Sequence, residues 1–282
     1  MKDVRERGTG GTGVPPVGLI AAAGSLPVEI ARGARRLGRG VVCVDVLDGD
    51  PTLRELAEAY YAISLGEVGG LIDALRRHGV REVVLAGKVD KLAAMRSARL
   101  DAQGARVALR LVDLRDASIL GVFVSALEES GFEVVSQTRY VDHLVPAAGV
   151  LSRRAPTPEE ARDAAFGVRI AQGIAALDIG QTVAVRRGVV VTVEAAEGTD
   201  AMIQRAGAIV RGVIVAKVSR PGQDPRYDLP VVGPQTVAAL ARAGAAALAI
   251  EATRTILLDR EQFIAAADAV GIAVTAIAPD PC

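Results

Sequence analysis

Three carboxylates fall within the run Val193-Glu194-Ala195-Ala196-Glu197-Gly198-Thr199-Asp200-Ala201. Strand alternation from Val189 puts Glu194 and the valines on opposite faces, Gly198 permits a sharp turn, and Thr199 or Asp200 can cap the helix that follows. An oxygen-rich corner of this kind suits Mg²⁺ or Mn²⁺, and a divalent ion is the usual means of neutralising a phosphate during hydrolysis. The same letters also fit a plain helix start flanked by solvated glutamates. Further on, Lys217 closes an apolar strand over 213–217 and leads into a loop that runs from Ser219 to Gly233. Loops of that length between compact elements are uncommon unless they bind something. This one carries Arg220, Arg226 and Asp228, which sets cations for phosphate oxygens beside a carboxylate for a metal or a water. Loop charges paired with one another are the alternative.

Two turns in the first half have a related logic. Gly24-Ser25-Leu26-Pro27 lies between the first strand and the first helix, where unpaired backbone N–H groups and the helix dipole favour a phosphate. An ordinary strand-to-helix turn reads the same way. Gly87-Lys88 adds a cation at the C-terminal end of a strand over 82–86, against the alternative of a solvated surface lysine. Gly8-Thr9-Gly10-Gly11-Thr12-Gly13 matches the dinucleotide fingerprint letter for letter, yet it precedes the first strand where the fingerprint must follow one, so it reads as a flexible linker. His78 and His143 are the two histidines, and neither a Gly-x-Ser-x-Gly elbow nor a Walker A run occurs. That removes histidine metal sites, Ser-His-Asp triads and P-loop chemistry, and leaves attack by a metal-activated water as the simplest hydrolytic mechanism.

These residues need a frame. Residues 1–16 read as a flexible tail. From Val17 the chain alternates strand and helix: strands at 17–23, 41–46, 61–64 and 82–86, helices from Pro27, around 53–59 and over 68–77, which is the pattern of a parallel sheet covered by helices. Residues 90–114 and 118–130 read as helical and 132–136 as strand. The stretch 143–158, with Pro146, Gly149, Pro156 and Pro158 and no periodicity, reads as a linker. Beyond it Thr157-Pro158-Glu159-Glu160 is a capping-box helix start, and Arg187-Gly188 between valine-rich runs is a hairpin signal. The rest mixes strands and helices. The expected fold is α/β: a Rossmann-like parallel-sheet domain over 17–146 and a mixed α/β catalytic domain over 147–282.

Composition bounds the partners. With 282 residues, two ordinary domains are expected. Lys plus Arg equals Asp plus Glu at 33 each, so no global field gathers nucleic acid, and phosphate recognition must be local. Cys43 inside an apolar run and Cys282 at the end form no disulfide framework, which suits a reducing, cytoplasmic compartment. Nowhere do about 18 uncharged apolar residues run together, so the expected membrane contact is at most peripheral.

The segments 17–27, Leu177-Asp178-Ile179-Gly180-Gln181, 193–201, Asp228-Leu229-Pro230 and Asp259-Arg260 resemble the UDP-2,3-diacylglucosamine pyrophosphatase family of the Mg²⁺-using, non-calcineurin-like type. The resemblance spans nearly the whole chain after residue 16. It implies hydrolysis at the α-phosphorus of that lipid A precursor to UMP and 2,3-diacylglucosamine 1-phosphate, with substrate held between two domains. The family's essential aspartate falls on Asp228. Glu197 and Asp200 match its acidic turn and are expected to share the ion, Mg²⁺ or Mn²⁺, with Asp228. Gly24, Ser25 and Leu26 match its substrate-side turn, with Gly87, Lys88, Gly198 and Thr199 as further substrate contacts. Lys217, with Lys88, is expected to offset charge on the bridge or leaving group. The lipid-linked UDP-sugar places the protein in the cytoplasm against the inner face of the inner membrane, and a homodimer is expected on frequency alone. A binding module without catalysis and a pyrophosphatase of soluble UDP-sugars are the alternative functions.

Overall fold

The computed structural model describes residues 2–6, 14–47, 49–89, 99–110, 116–221 and 223–278. The glycine run 8–13 and part of the helical expectation over 90–114 lie outside the described residues. The chain divides into two compact units. One comprises the residues up to Asp142 with Asp224–Tyr227, and the other His143–Gln223 with the residues from Asp228 onward.

The first unit is built on strands β1 (Lys2–Glu6), β2 (Val17–Ala21), β3 (Val41–Asp45), β4 (Ala59–Ala62), β5 (Glu82–Ala86) and β6 (Glu133–Val134), in the sheet order β1-β4-β3-β2-β5-β6. Strands β2 to β6 are mutually parallel. Helices α1 (Leu26–Arg36), α2 (Thr52–Leu56), α3 (Val68–Arg77), α4 (Ala102–Ala108), α5 (Asp116–Glu129) and α6 (Thr138–Val141) connect and cover them. Strands β2 and β3 are buried at every position, as strands flanked by helices on both faces must be, which explains the continuous apolar runs that marked them in the sequence. Pro27 opens α1, where its missing N–H has no helical partner to lose.

From β2 the chain steps to β3 and β4 on one side, then returns to β5 on the other. The topological switch point therefore lies between β2 and β5, the place where open α/β sheets bind ligands.

Two features of this unit depart from the sequence reading. Residues 2–6 of the expected tail form β1, an antiparallel edge strand on β4. Asp224–Tyr227, far along the chain, also belong here. The Gln137 backbone donates to the Arg226 carbonyl at 2.9 Å, and its side-chain amide donates to the carbonyls of Leu85 at 2.8 Å and Tyr227 at 3.2 Å. Tyr227 packs against the unit's core.

The second unit contains β7 (Gly149–Val150), β8 (Thr182–Arg186), β9 (Val189–Val193), β10 (Ile214–Lys217), β12 (Ala247–Glu251) and β14 (Ala273–Ile277) in one mixed sheet of order β7-β14-β12-β10-β8-β9. Strands β10, β12 and β14 are parallel, and β7, β8 and β9 run antiparallel to their neighbours. A separate parallel pair joins β11 (Val231–Val232) to β13 (Ile256–Leu257). The linker read at 143–158 is partly structured, since it supplies β7 and a 3₁₀ turn at Asp142–Leu144.

Helix α7 (Pro158–Ala176) covers one sheet face, with Ala164, Val168 and Ala171 against Val183, Val185, Ile214 and Ala216. Helices α8 (Thr199–Ile209), α9 (Pro234–Ala243) and α10 (Arg260–Ala269) cover the other, with Met202, Ile203, Leu240 and Phe263 against Ala184, Val215, Leu248 and Ile250. The neighbours Val183, Ala184 and Val185 thus point to alternate faces, as the period of two requires. Helix α7 starts on the expected capping box, with Thr157 accepting from the Glu160 N–H and Glu160 accepting from the Thr157 N–H.

Candidate active site

In the second unit the C-terminal end of β10, the start of β8 and the N-terminus of α8 meet around a polar cluster. Glu194, directly after β9, is buried. Its Oε1 accepts from the Thr199 hydroxyl at 2.7 Å and its Oε2 from the Gln181 N–H at 3.2 Å. Lys217, the last residue of β10 and only 9% exposed, donates from Nζ to Thr199 Oγ1 at 3.3 Å and to the Val231 carbonyl at 3.4 Å. Thr182 Oγ1 lies 3.5 Å from Thr199 Oγ1. Buried charge is tolerable here because an ammonium and a carboxylate share one hydroxyl between them. On the adjacent parallel strand, Glu251 ends β12 and accepts from both the backbone N–H, at 2.8 Å, and the hydroxyl of Ser219.

The acidic turn differs from its sequence reading. Gly198, at φ 82°, is the N-cap of α8, and neither Thr199 nor Asp200 caps the helix. The left-handed backbone there lets the chain turn sharply enough to aim the Thr199 side chain back at Glu194. Glu197 points to Arg205 instead of the cluster, and its own backbone N–H and that guanidinium hold its carboxyl below the usual range. Asp200 is exposed on the first turn of α8.

Asp228 Oδ2 accepts from Arg220 Nη2 at 3.2 Å, and Arg220 Nη1 reaches Asp178 Oδ1 at 3.2 Å. The expected trio of Asp228, Glu197 and Asp200 does not assemble into a ready-made cage. Among the described residues no group of three or more His, Cys, Asp or Glu side chains is placed to hold a metal ion. Magnesium seldom uses such a cage, however, because one or two carboxylates plus substrate phosphates and waters complete its shell. The partly exposed Asp228 carboxylate fits that role, and Glu197 does not.

Lys217 and Thr199, both singled out in the sequence, therefore meet at one corner, and the carboxylate that joins them is Glu194, which the sequence marked only as one of three in the acidic run. The signal was present: Thr192 and Glu194 sit two residues apart on one face at the end of β9, and both are buried.

In the first unit the structure brings the two expected turns together. Ala23 N donates to the Lys88 carbonyl at 3.2 Å and Lys88 N to the Ala23 carbonyl at 2.8 Å, so Gly24-Ser25-Leu26 and Gly87-Lys88 share the switch point. Gly87 lies at φ 104°, and a Cβ there would stand 2.6 Å from the Ala22 carbonyl carbon, which restricts the position to glycine. Ser25 precedes α1 without making a side-chain cap.

A residue the sequence reading passed over, Asp45, ends β3 almost wholly buried. It accepts from the N–H groups of Leu47 and Gly49 and from the Tyr60 hydroxyl at 2.6 Å. Burial first, then this carboxylate, pushes the Tyr60 hydroxyl well above the usual phenol range. Arg226 pairs with Asp224 and with Glu128, both at 2.7 Å. The Asp224 carboxyl is held low chiefly by that guanidinium, so for Arg226 the alternative of paired charges is the one that forms, within the first unit. Among the described residues no helix is long and apolar enough to cross a membrane.

Residues 16–144 match the LpxI N-terminal domain and residues 147–275 the LpxI C-terminal domain. The UDP-2,3-diacylglucosamine pyrophosphatase LpxI of Caulobacter vibrioides is 34% identical over 276 residues, which cover 93% of this chain and 98% of that protein. A solved structure of glycinamide-RNase-transformylase T from Mycobacterium tuberculosis aligns with 64% of this chain and 44% of its own at 18% identity, and its TM-score of 0.25 is too low to bear on the fold. Two domain matches in tandem and a relative similar from end to end leave one conclusion: the chain belongs to the LpxI family.

Proposed function

We propose that this protein is a hydrolase that cleaves the pyrophosphate bond of UDP-2,3-diacylglucosamine, giving UMP and 2,3-diacylglucosamine 1-phosphate in lipid A biosynthesis. The observation that carries the reading is the end-to-end similarity to a pyrophosphatase named for that substrate. The geometry of the second unit suits the reaction. Water attacks the α-phosphorus, the bond from that phosphorus to the bridging oxygen breaks, and the bridging oxygen leaves with the β-phosphorus on the sugar phosphate. Such transfers are governed by positioning and charge stabilisation more than by covalent chemistry. Lys217, at the C-terminal end of β10, is the cation for charge that develops on the bridge or leaving group. The N-terminus of α8, with Gly198 and Thr199, supplies backbone N–H groups and a favourable dipole for phosphate oxygens. Asp228 orients the attacking water or carries Mg²⁺ or Mn²⁺. A bound ion would neutralise phosphate charge and lower the pKa of a coordinated water. In the first unit, Gly24-Ser25-Leu26 and Gly87-Lys88 offer backbone and ammonium donors for a nucleotide phosphate at the switch point. The substrate's acyl chains imply peripheral contact with the inner leaflet of the membrane.

The test is mass spectrometry after incubation with Mg²⁺ and either UDP-2,3-diacylglucosamine or UDP-GlcNAc. UMP and the acylated sugar phosphate from the first substrate alone are the expected products. Intact substrate in both arms would mark a binding module, and equal cleavage of both a pyrophosphatase of soluble UDP-sugars.

A further inference from the structure

We infer that Glu194 is a positioning residue for this hydrolysis, acting through the Thr199 hydroxyl to fix where the Lys217 ammonium points. The inference rests on the functional reading above, which gives Lys217 its role. Glu194 follows β9, Thr199 opens α8 and Lys217 ends β10, so the chain of contacts ties three separate elements together at one corner. Both oxygens of Glu194 are engaged, Oε1 by the Thr199 hydroxyl and Oε2 by the Gln181 backbone N–H, so the buried carboxylate is held in one orientation.

A threonine hydroxyl has a single hydrogen and two acceptor lone pairs. A carboxylate only accepts, so the hydrogen goes to Glu194. The lone pairs are thereby turned toward Lys217 Nζ at 3.3 Å and Thr182 Oγ1 at 3.5 Å. With the hydroxyl direction set, Thr199 Oγ1 and the Val231 carbonyl at 3.4 Å define two directions of the Lys217 ammonium, and its tetrahedral geometry defines the rest. A lysine is a point charge on a flexible four-carbon stem, and its value to a developing charge depends on such external restraint. Glu194 supplies the restraint without itself touching substrate.

The experiment measures kcat and KM for UDP-2,3-diacylglucosamine in two backgrounds, wild type and Lys217→Met, with melting temperatures taken in parallel. In the wild-type background Glu194→Gln and Thr199→Val should each lower kcat by about 10–100-fold, the usual cost of losing a supporting partner, with KM moved less. Thr199→Ser keeps the hydroxyl and should run about tenfold faster than Thr199→Val, the lower end of the same range. In the Lys217→Met background the Glu194→Gln loss should shrink to within about twofold, because the group it positions is gone. A merely structural carboxylate would cost the same in both backgrounds. If Glu194→Gln fails to fold, the near-isosteric Thr199→Val carries the comparison. Losses that persist undiminished without Lys217, or variants at wild-type rate, would overturn the inference while leaving the functional reading intact. No cleavage by the wild type would overturn both.

Discussion

The Lys217 ammonium and the Thr199 hydroxyl, 18 residues apart in sequence, meet at 3.3 Å where β10 ends and α8 begins. The ammonium is buried, and charge placed in a site that excludes water acts on developing phosphate charge with little screening. Lys217→Met keeps the unbranched stem, one atom shorter, and removes the charge. It should lower kcat for UDP-2,3-diacylglucosamine by about 10²–10³-fold while KM changes far less. Lys217→Arg should not restore the rate, since a planar fork cannot occupy the place of a compact ammonium. Steady-state kinetics on the purified variants decides both.

Asp228→Asn preserves shape and removes a negative charge. Turnover should fall by about 10²–10³-fold, and the variant should still retain substrate in a binding assay. Its ion pair with Arg220 leaves both side chains 23% exposed, so stability should change by no more than about 0.2–1 kcal/mol, read from urea unfolding. Wild-type turnover by this variant would remove Asp228 from the reaction.

Chelation tests whether a divalent ion serves the chemistry, the fold or neither. With no preformed cage among the described carboxylates, EDTA should stop hydrolysis without shifting the melting temperature, and Mg²⁺ should restore the rate. A large drop in melting temperature on chelation would point to a structural ion instead.

Acid should weaken the second unit partly through Glu160. Burial pushes its carboxyl up, but the Arg154 guanidinium and the Thr157 N–H outweigh this and hold it below its ordinary 4.5. A group whose folded pKa is depressed contributes stability in full above the unfolded value, and that contribution is lost as pH falls through the folded one. Glu160→Gln removes the charge from the Arg154 pair and should therefore be less stable than wild type by about 0.2–1 kcal/mol at pH 7. The gap should close below pH 4.5, which denaturant titrations across that range would show.

Two glycines in the first unit should respond in opposite senses to alanine. A Cβ on Gly33 in α1 would stand 1.9 Å from the Tyr140 carbonyl oxygen, so Gly33→Ala must push the helix off its neighbour and cost about 1–3 kcal/mol. A Cβ on Gly70 in α3 meets only ordinary contacts at 4.0 Å, and Gly70→Ala should stabilise by about 0.4–1 kcal/mol through the unfolded chain. Differential scanning calorimetry reads both.

Local signals in the sequence translated well. The Thr157-Glu160 box and the Arg187-Gly188 hairpin are decided by residues within a few positions of one another, and both form as read. Features settled by distant partners did not translate. Strand β1 pairs with β4 more than fifty residues on, and the placement of Asp224–Tyr227 in the first unit depends on Gln137. At the site, composition marked the acidic run but could not say which carboxylate faces inward. Glu197 was free to meet Arg205 one helical stretch away, and Glu194 was committed by the pleat of β9.

The burial of Asp45 has a meaning for ligand choice. In sheets of this winding, an acidic side chain about twenty residues past the first phosphate turn commonly grips the ribose of a nicotinamide dinucleotide. Here Asp45 sits at that distance from Gly24, but its two oxygens are already taken by Leu47, Gly49 and Tyr60. Those bonds turn the carboxylate inward, so at the end of β3 it works as a brace that ties the following turn and the neighbouring strand to the frame.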